Sequence, residues 1–380
     1  MRNNLIATAT FGLEAVVKRE IEQLGYKIIK TEDGKVTYEG DERAIVRSNL
    51  WLRCADRVLL KIAEFKVLEF EDLFQQIKGF PWEEIIPLDG KIVVTGSSVK
   101  SKLSSVPACQ SVAKKAIIER LKETYGIDEF EEDGAAYKVK LTILKDNVTV
   151  TLDTSGAGLH KRGYRVEDVK APMKETLASA LIQLSFWRPG RLLVDPCCGS
   201  GTIIIEAAMI EKNIAPGLYR NFESESWDYI PKEIWEEERK NAKNQIIEVK
   251  NPTIIGRDID EEAIFATGEN AIEMGVDDAI ILMTKDVAEL KDKTWEKEGI
   301  IVTNPPYGER IGEKKEIEAI YKGLGSFAKK NPTWSLFVIT SDKEAEERIM
   351  GKKADRRRKL YNGRLETCYY QFHGEKTKKQ

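Results

Sequence analysis

The chain of 380 residues contains only two histidines, His160 and His373. Histidine is the side chain most often used as a general base near neutral pH, so a mechanism that depends on histidine catalysis is disfavoured. Long apolar stretches are also absent, since no run approaches the roughly 18 residues that a membrane-spanning helix needs. The sequence therefore predicts no membrane span and indicates chemistry that does not use imidazole.

Cysteine is scarce and unpatterned. Cys54, Cys109 and Cys368 are isolated, while Cys197 and Cys198 are neighbours, and vicinal cysteines make poor disulfides. The spacing matches no zinc motif, so we expect a reduced compartment and no structural metal. The N-terminus shows no signal-peptide pattern, and a cytoplasmic protein is the resulting expectation.

Neither sign of charge dominates the chain, which has 60 basic and 63 acidic residues and a formal net charge of -3. A surface uniformly coated with positive charge is excluded, so any surface for nucleic acid must be local. Basic clusters are usually solvated faces, and several of them near one site favour phosphate contacts. Three segments carry the candidates: Lys100, Lys102, Lys114 and Lys115; Lys161, Arg162 and Arg165; and Arg356, Arg357 and Arg358.

Asn304-Pro305-Pro306-Tyr307 is a stiff turn that can hold a planar amine. The two prolines restrict the backbone. Because Pro306 has no N–H, the peptide unit between Pro305 and Pro306 offers only a carbonyl. The Asn304 side chain adds a second oxygen acceptor, and Tyr307 adds a ring for stacking. Two acceptors and a ring can orient an exocyclic –NH2 toward an electrophile without a strong base. Alone, the tetrapeptide is just as typical of an ordinary Pro-Pro turn.

About a hundred residues earlier, an apolar run at 192–194 is followed by a glycine turn and a second apolar run from Thr202. This pattern predicts strand, tight turn and helix, with free N–H groups at the helix start available to a polar ligand. It is neither the dinucleotide fingerprint, whose third glycine would fall on Ile204, nor a phosphate-binding P-loop. The candidate binding residues are Asp195, Pro196, Cys197, Gly199, Gly201 and Thr202.

Three further apolar runs end in polar residues. Asp258, or Asp260 as second choice, can accept the hydroxyls of a ribose; Asp286 can accept from an adenine amine; the third run leads directly into Asn304. Any one acid is as typical of a helix cap as of a ligand site. Because open α/β sheets bind ligands at the carboxyl ends of their strands, four such ends in register favour a site.

These segments, DPCCGSGT, GRDID, KDVAEL and NPPYGER in that order, resemble S-adenosylmethionine-dependent amino-methyltransferases with the Rossmann-like methyltransferase fold. With HKRGYR at 160–165 and APMKE at 171–175, the chain is similar to RNA guanine-N2 methyltransferases that carry a THUMP domain, the kind that modifies 23S ribosomal RNA. The resemblance implies S-adenosyl-L-methionine as cofactor and RNA as partner, 23S ribosomal RNA first and transfer RNA as the close alternative. The oligomeric state stays open.

The resemblance also implies roles for individual residues. Asp195, Gly199, Gly201 and Thr202 would hold the methionine and ribose parts of the donor. Asp258 would bind ribose, Ile259 and Val287 would flank adenine, and Asp286 would bind its amine. Asn304, Pro305 and Tyr307 would hold the target guanine.

Other functions stay open at this stage. The tetrapeptide is shared with methyltransferases that act on DNA adenine or protein glutamine, so it specifies an amine and not guanine. Cys197 as the nucleophile of a pyrimidine-carbon methyltransferase is disfavoured, because in that class the thiol belongs to the substrate-side loop, here Asn-Pro-Pro-Tyr. A non-catalytic RNA-binding or assembly factor is a further alternative, although a binder has no need of the Asn304 geometry.

The predicted fold class is α/β, with a C-terminal Rossmann-like methyltransferase domain, built on a seven-stranded mixed sheet, that follows ferredoxin-like α+β and THUMP modules. The predicted boundaries are 1–55 for the ferredoxin-like region, 56–155 for the THUMP domain, 156–170 for a linker and 171–380 for the methyltransferase domain. The acidic stretch 223–238 is interpreted as a helical surface insertion, because acid would repel RNA.

Overall fold

A computed structural model describes residues 3–165, 173–292, 298–306 and 313–375. These residues form two compact units. The first draws on residues up to 9, on 17–159 and on 220–241, and the second on 10–16, 160–219 and 242 onward. The chain therefore passes between the units several times and does not complete one before it starts the other.

The helices and strands follow one another in an order typical of two α/β units. The first half comprises β1 (Asn3–Ala9), α1 (Glu14–Gln23), β2 (Ile28–Glu32), β3 (Lys35–Gly40), α2 (Glu42–Trp51), β4 (Ala55–Lys66), α3 (Phe70–Lys78), β5 (Lys91–Val99), α4 (Val106–Tyr125), β6 (Ala136–Leu144) and β7 (Asn147–Asp153). The second half comprises α5 (Glu175–Leu184), β8 (Leu192–Asp195), α6 (Thr202–Glu211), α7 (Lys232–Asn244), β9 (Ile254–Asp258), α8 (Glu261–Met274), β10 (Ile280–Thr284), β11 (Gly299–Thr303), α9 (Glu313–Lys330), β12 (Ser335–Thr340), α10 (Ala345–Met350), β13 (Arg356–Asn362) and β14 (Leu365–Phe372).

Local chemistry sets several of these boundaries. The Asp41 side chain accepts from the Ala44 N–H at 2.9 Å and begins α2. Gly126, at φ +67°, ends α4 in the left-handed conformation. Lys145 and Asp146 both have positive φ, as a two-residue hairpin turn requires, and they join β6 to β7.

A single seven-stranded sheet runs through the first unit in the order β2-β3-β1-β4-β7-β6-β5. The N-terminal strands and the later hairpin meet where β4 pairs antiparallel with β7, from Leu59 opposite Asp153 to Lys66 opposite Asn147. Strand β6 alternates buried and half-buried residues, so one face of the sheet packs against the core. The two N-terminal modules that the sequence predicts thus share one backbone hydrogen-bond network.

The acidic segment 220–241 packs inside the first unit. Trp227 is buried, its ring stacks on Tyr137 with centroids 5.0 Å apart, and its Nε1 donates to the Ala136 carbonyl at 3.0 Å. The Lys138 ammonium lies 2.7 Å from the Glu223 carboxylate. The prediction that residues 223–238 are helical is confirmed by a 3-10 turn at Glu223–Ser226 and by α7. The prediction that they form a surface insertion is wrong, because the Trp227 indole fills the core.

The second unit is built on a seven-stranded sheet in the order β10-β9-β8-β11-β12-β14-β13. The five consecutive strands from β10 to β12 in this order are parallel to one another, whereas β14 is antiparallel to both β12 and β13. This arrangement confirms the predicted mixed sheet with an antiparallel member near its end. Among the helices within the described ranges, none is long and apolar enough to cross a membrane.

Candidate active site

Four strand ends come together at one edge of the second sheet. Strands β10, β9, β8 and β11 are consecutive neighbours in the sheet and all are parallel. The segments that follow them start at Lys285, Ile259, Pro196 and Asn304. Since the carboxyl ends of parallel strands lie on the same side, the polar residues predicted from separate motifs line one edge.

Two side chains of α8 hold the loop between β8 and α6 by hydrogen bonds. The Thr267 hydroxyl donates to the Gly199 carbonyl at 2.6 Å, and the Asn270 amide donates to the Ser200 carbonyl at 3.2 Å. Gly201 has φ +81°, and a Cβ there would lie 2.5 Å from the Thr267 side chain. Sequence analysis missed Thr267 and Asn270, although two polar residues three apart on a buried helix face were the available signal.

Asp195 connects this loop to the strand that precedes Asn304. Its Oδ1 accepts from the Thr303 hydroxyl at 2.7 Å and from the Cys197 N–H at 3.1 Å. Burial raises the pKa of the Asp195 carboxyl to about 7, the two hydrogen bonds oppose this rise, and the Asp258 charge adds to it. Asp195 therefore holds the two binding loops together from inside the protein, with 1% of its surface exposed.

Asn304 carries an unsatisfied acceptor. Its Oδ1 is buried and has no hydrogen-bond partner among the residues that the structure describes. A buried amide oxygen without a partner costs about 1–3 kcal/mol, so such an atom marks either strain or a ligand that is not bound. Pro305 beside it is buried and Pro306 is exposed, while Tyr307 lies outside the described residues.

The acids at the ends of β9 and β10 are fixed by backbone N–H groups. Asp258 accepts from Gly199 N–H at 2.8 Å through Oδ2 and from Asp260 N–H at 3.1 Å through Oδ1. Asp260 accepts from Glu262 N–H at 3.0 Å and caps α8. Asp286 accepts from Ala288 N–H at 2.8 Å. Because each carboxylate oxygen has a second lone pair, Asp258 and Asp286 keep capacity for ligand hydroxyls or amines.

The two predicted adenine-flanking side chains differ in exposure. Ile259 is 71% exposed and offers an open apolar face, whereas Val287 is buried in the core cluster that includes Tyr321 and Leu324. Contact of both with adenine stays a prediction, and Ile259 alone presents free surface for it.

Cys197 lies in the loop between β8 and α6 and is a poor nucleophile. Burial raises the pKa of its thiol, and the charges of Asp195 and Asp258 raise it further. The thiol form is therefore strongly favoured at neutral pH, and only a thiolate attacks efficiently. Among the described residues, no group of three His, Cys, Asp or Glu side chains is arranged to hold a metal ion.

The predicted basic residues fall into different environments. Lys100, Lys102, Lys161 and Arg356 are exposed. Lys114 pairs with Glu132 at 2.7 Å, Lys115 with Glu119 at 3.7 Å and Arg357 with Glu346 at 3.2 Å, and Arg358 is half-buried on β13. Exposed or surface-paired bases of this kind can exchange a carboxylate for a phosphate.

Arg162 and Arg165 do not belong to such a surface. Arg162 is 2% exposed and its guanidinium pairs with the buried Glu206 carboxylate at 3.1 Å, which contradicts the expectation that it contacts RNA phosphate. Its charge is already neutralised away from solvent. Arg165 lies against the loop after β8, where its Nη atoms lie within hydrogen-bond distance of the Ser200 and Thr202 hydroxyls.

Three regions of the chain match known protein families. Residues 162–371 match the family described as RMKL-like, methyltransferase domain. Residues 4–59 match the RlmL ferredoxin-like domain, and residues 68–153 match the THUMP domain.

Two relatives are similar over nearly the whole chain. A protein of Bacillus subtilis (strain 168), named putative RNA methyltransferase YpsC, is 50% identical over 371 residues, which cover 97% of this chain and 95% of the relative. The ribosomal RNA large subunit methyltransferase K/L of Syntrophotalea carbinolica is 35% identical over 386 residues. That match covers 96% of this chain but 53% of the relative, so this chain spans about half of its length.

Solved structures share the fold. A predicted N6-adenine-specific DNA methylase from Listeria monocytogenes is 48% identical with a TM-score of 0.93, covering 99% of this chain and 97% of that one. SMU.472, a putative methyltransferase complexed with SAH, is 40% identical with a TM-score of 0.92 and 99% coverage of both chains. TrmN from Thermus thermophilus, at 19% identity and a TM-score of 0.72 over 99% of this chain and 100% of that one, shows a shared fold alone.

The chain is an S-adenosylmethionine-dependent methyltransferase. This class is indicated by the mixed seven-stranded sheet, by the glycine loop after β8 and by the acids at the ends of β9 and β10. The residues present fit that donor, because carboxylates able to accept hydroxyls or amines and an open apolar side chain lie at adjoining strand ends. Within this class, the chain belongs to the RMKL-like methyltransferase family, with RlmL ferredoxin-like and THUMP domains on its N-terminal side. The resemblance recognised from the sequence is thereby confirmed.

Proposed function

We propose that this protein methylates RNA at the exocyclic N2 amine of a guanine, in 23S ribosomal RNA first and with transfer RNA as the second candidate. The unpartnered Oδ1 of Asn304 carries the catalytic part of the proposal. A protein that only binds RNA gains nothing from a buried unsatisfied acceptor, whereas an enzyme for an –NH2 group uses one to orient that amine.

Bound S-adenosylmethionine supplies an electrophilic methyl group. Asn304 Oδ1 and the Pro305 carbonyl accept hydrogen bonds from the two N–H groups of the amine. This points the amine's lone pair toward the loop between β8 and α6, here called the donor loop. Thr303 fixes this geometry, since its hydroxyl donates to Asp195 at the base of that loop. As the new C–N bond forms, the S–CH3 bond of the donor would break with its electron pair left on sulfur, and S-adenosylhomocysteine would be released. The methylated amine would lose one proton, and water is the proposed acceptor because no strong base lies among the assigned site residues.

RNA as substrate is supported by the THUMP match and by the names of the two relatives, a putative RNA methyltransferase and a ribosomal RNA large subunit methyltransferase. Exposed Lys100 and Lys102 lie in the loop between β5 and α4, within the matched THUMP region. A base within a helix must leave its stack to reach Asn304, so a structured RNA with an accessible or flipped guanine is the expected target.

The guanine assignment is tested by identifying the methylated base. Purified protein and isotopically labelled donor are incubated separately with unmodified 23S ribosomal RNA, transfer RNA, DNA and a release factor, and the digests are analysed by mass spectrometry. We expect label in N2-methylguanosine from ribosomal RNA, and labelling about 10²- to 10³-fold slower with the Asn304→Ala variant. Label on DNA adenine, the substrate named for the Listeria relative, or on protein glutamine would overturn the proposal. No label on any substrate would favour a non-catalytic RNA-binding factor.

A further inference from the structure

The Arg165 guanidinium is aimed at the start of the donor loop's helix. Its Nη2 donates to the Thr202 hydroxyl at 3.2 Å and its Nη1 to the Ser200 hydroxyl at 3.4 Å. Nε donates to the Glu175 carboxylate at 3.0 Å, and Nη2 also donates to the Met173 carbonyl at 3.1 Å. Glu175 thus fixes the orientation of the side chain and leaves the Nη edge against the loop.

Two positive groups meet at this point. Thr202 is the first residue of α6, a helix of ten residues, and the unpaired N–H groups of a helix start carry partial positive charge. Neutral hydroxyls are weak partners for a guanidinium, whose planar fork matches a carboxylate. An anion placed between the Nη edge of Arg165 and the start of α6 would satisfy both groups at once.

The methyl donor has one anionic group, the α-carboxylate of its methionine part. Among the side chains assigned to the donor, the acids Asp258 and Asp286 repel an anion, and Ile259 and Val287 are apolar. Arg257, a second cation of this region, is 3% exposed and its Nη2 donates to the Asp286 carbonyl at 3.0 Å. Of these two arginines, only Arg165 has its Nη edge at the glycine loop.

We propose that Arg165 binds the α-carboxylate of S-adenosylmethionine, in place of the RNA-phosphate role expected from its position in a basic sequence segment. The carboxylate takes over the hydrogen bonds that Nη1 and Nη2 now make to Ser200 and Thr202. This inference rests on the donor site and is independent of which RNA base accepts the methyl group.

The test compares two donors that differ only in that carboxylate. Isothermal titration calorimetry in the absence of RNA measures the affinity of S-adenosylmethionine and of its decarboxylated form. The original protein should bind the complete donor about 10- to 100-fold more tightly, as expected for charge-assisted hydrogen bonds. Arg165→Gln should lower the affinity for the complete donor by a similar factor and leave that for the decarboxylated donor nearly unchanged. Arg188→Gln, an exposed arginine of the same unit, is the matched control and should alter neither.

Three outcomes overturn the proposal. Equal affinity of the original protein for both donors would show that the carboxylate has no charged partner. An equal loss of both affinities in Arg165→Gln would mean that Arg165 only supports the loop. In a separate titration of the same variant with RNA, a loss of RNA affinity together with unchanged donor affinity would restore the phosphate role. If Arg165→Gln fails to fold by circular dichroism, Arg165→Lys is used; it keeps the charge but loses the fork, and should reduce the preference for the complete donor to an intermediate value.

Discussion

The Arg162 guanidinium and the Glu206 carboxylate form a buried ion pair, with Nε and Oε1 3.1 Å apart and side-chain exposures of 1% and 0%. A second contact joins Nη2 to Oε2 at 3.3 Å, and the Ser179 hydroxyl donates to the same carboxylate. The pair fastens the segment that carries Arg165 onto α6, the helix that follows the donor loop. Arg162 therefore anchors this segment to α6.

Arg162→Ala should destabilise the protein, because it leaves the Glu206 charge buried without a partner. Removing one member of such a pair costs about 3–5 kcal/mol. Urea unfolding should show this loss, whereas the exposed Arg188→Ala should stay within about 0.5 kcal/mol of the original protein. The double variant Arg162→Met with Glu206→Leu should recover most of the stability. A single variant of unchanged stability but weakened RNA binding would return Arg162 to the RNA surface.

Asp195 should make stability depend on pH. Because burial raises its folded-state pKa to about 7, above the ordinary value of 3.8, its contribution to stability is full below about pH 4 and is lost as pH rises to about 7. Asp195→Asn keeps an oxygen acceptor for Thr303 and removes the charge. The stability of the variant relative to the original protein should therefore increase by a few kcal/mol between about pH 4 and 7. Parallel stability curves would mean that Asp195 titrates normally.

Asn304→Ala should lower the rate of methyl transfer about 10²- to 10³-fold, as loss of an oriented catalytic hydrogen bond does. The affinity for S-adenosylmethionine should stay nearly unchanged, because no donor contact is assigned to this side chain. The transfer rate is measured in single-turnover reactions with the substrate that mass spectrometry identifies. The donor affinity is measured by calorimetry. Asn251→Ala, an exposed asparagine of the same unit, is the control. Equal loss of transfer and donor affinity would make Asn304 a structural residue.

Asp258 and Asp260 should separate into a ligand-binding and a capping role. Asp258→Ala should weaken S-adenosylhomocysteine binding about tenfold or more, since a carboxylate that accepts ribose hydroxyls is lost. The same substitution also removes the acceptor of the Gly199 N–H, so the affinity for 2′-deoxy-S-adenosylhomocysteine is measured as well. If Asp258→Ala weakens the binding of this analogue less than that of S-adenosylhomocysteine, the contact with the ribose hydroxyl is identified. Asp260→Ala should cost about 1 kcal/mol of stability through the lost cap of α8 and leave donor affinity intact. The reverse pattern would assign the ribose to Asp260.

The parts of the site that the sequence predicts well are those encoded over a few neighbouring residues. Strand, glycine turn and helix around Gly199 and Gly201 follow from local periodicity, and parallel strands place their ends together by geometry alone. The Asn304 turn is stiff because of its own prolines. For these reasons the two loops could be predicted without knowledge of distant contacts.

The parts that it predicts poorly depend on partners far along the chain. Arg162 looks like an exposed base until Glu206, 44 residues later, is seen to neutralise it. Thr267 and Asn270 support a loop almost 70 residues earlier. The pairing of β4 with β7 is hard to predict for the same reason, because backbone hydrogen bonds between strands do not show in the side chains which strand is the partner.

Trp227 gives the most direct test of such a distant contact. Its buried ring stacks on Tyr137 at an interplanar angle of 18°, and its indole N–H is satisfied by the Ala136 carbonyl. Trp227→Ala should lower the free energy of unfolding of the first unit by about 3–5 kcal/mol, whereas Trp227→Phe should lose less because a ring remains. Tyr219→Ala, at a 58% exposed side chain, is the aromatic control and should change stability little. Hydrogen exchange in β6 reports on the first unit directly, and protection that is unchanged in Trp227→Ala would show that the acidic segment is an addition to the surface after all.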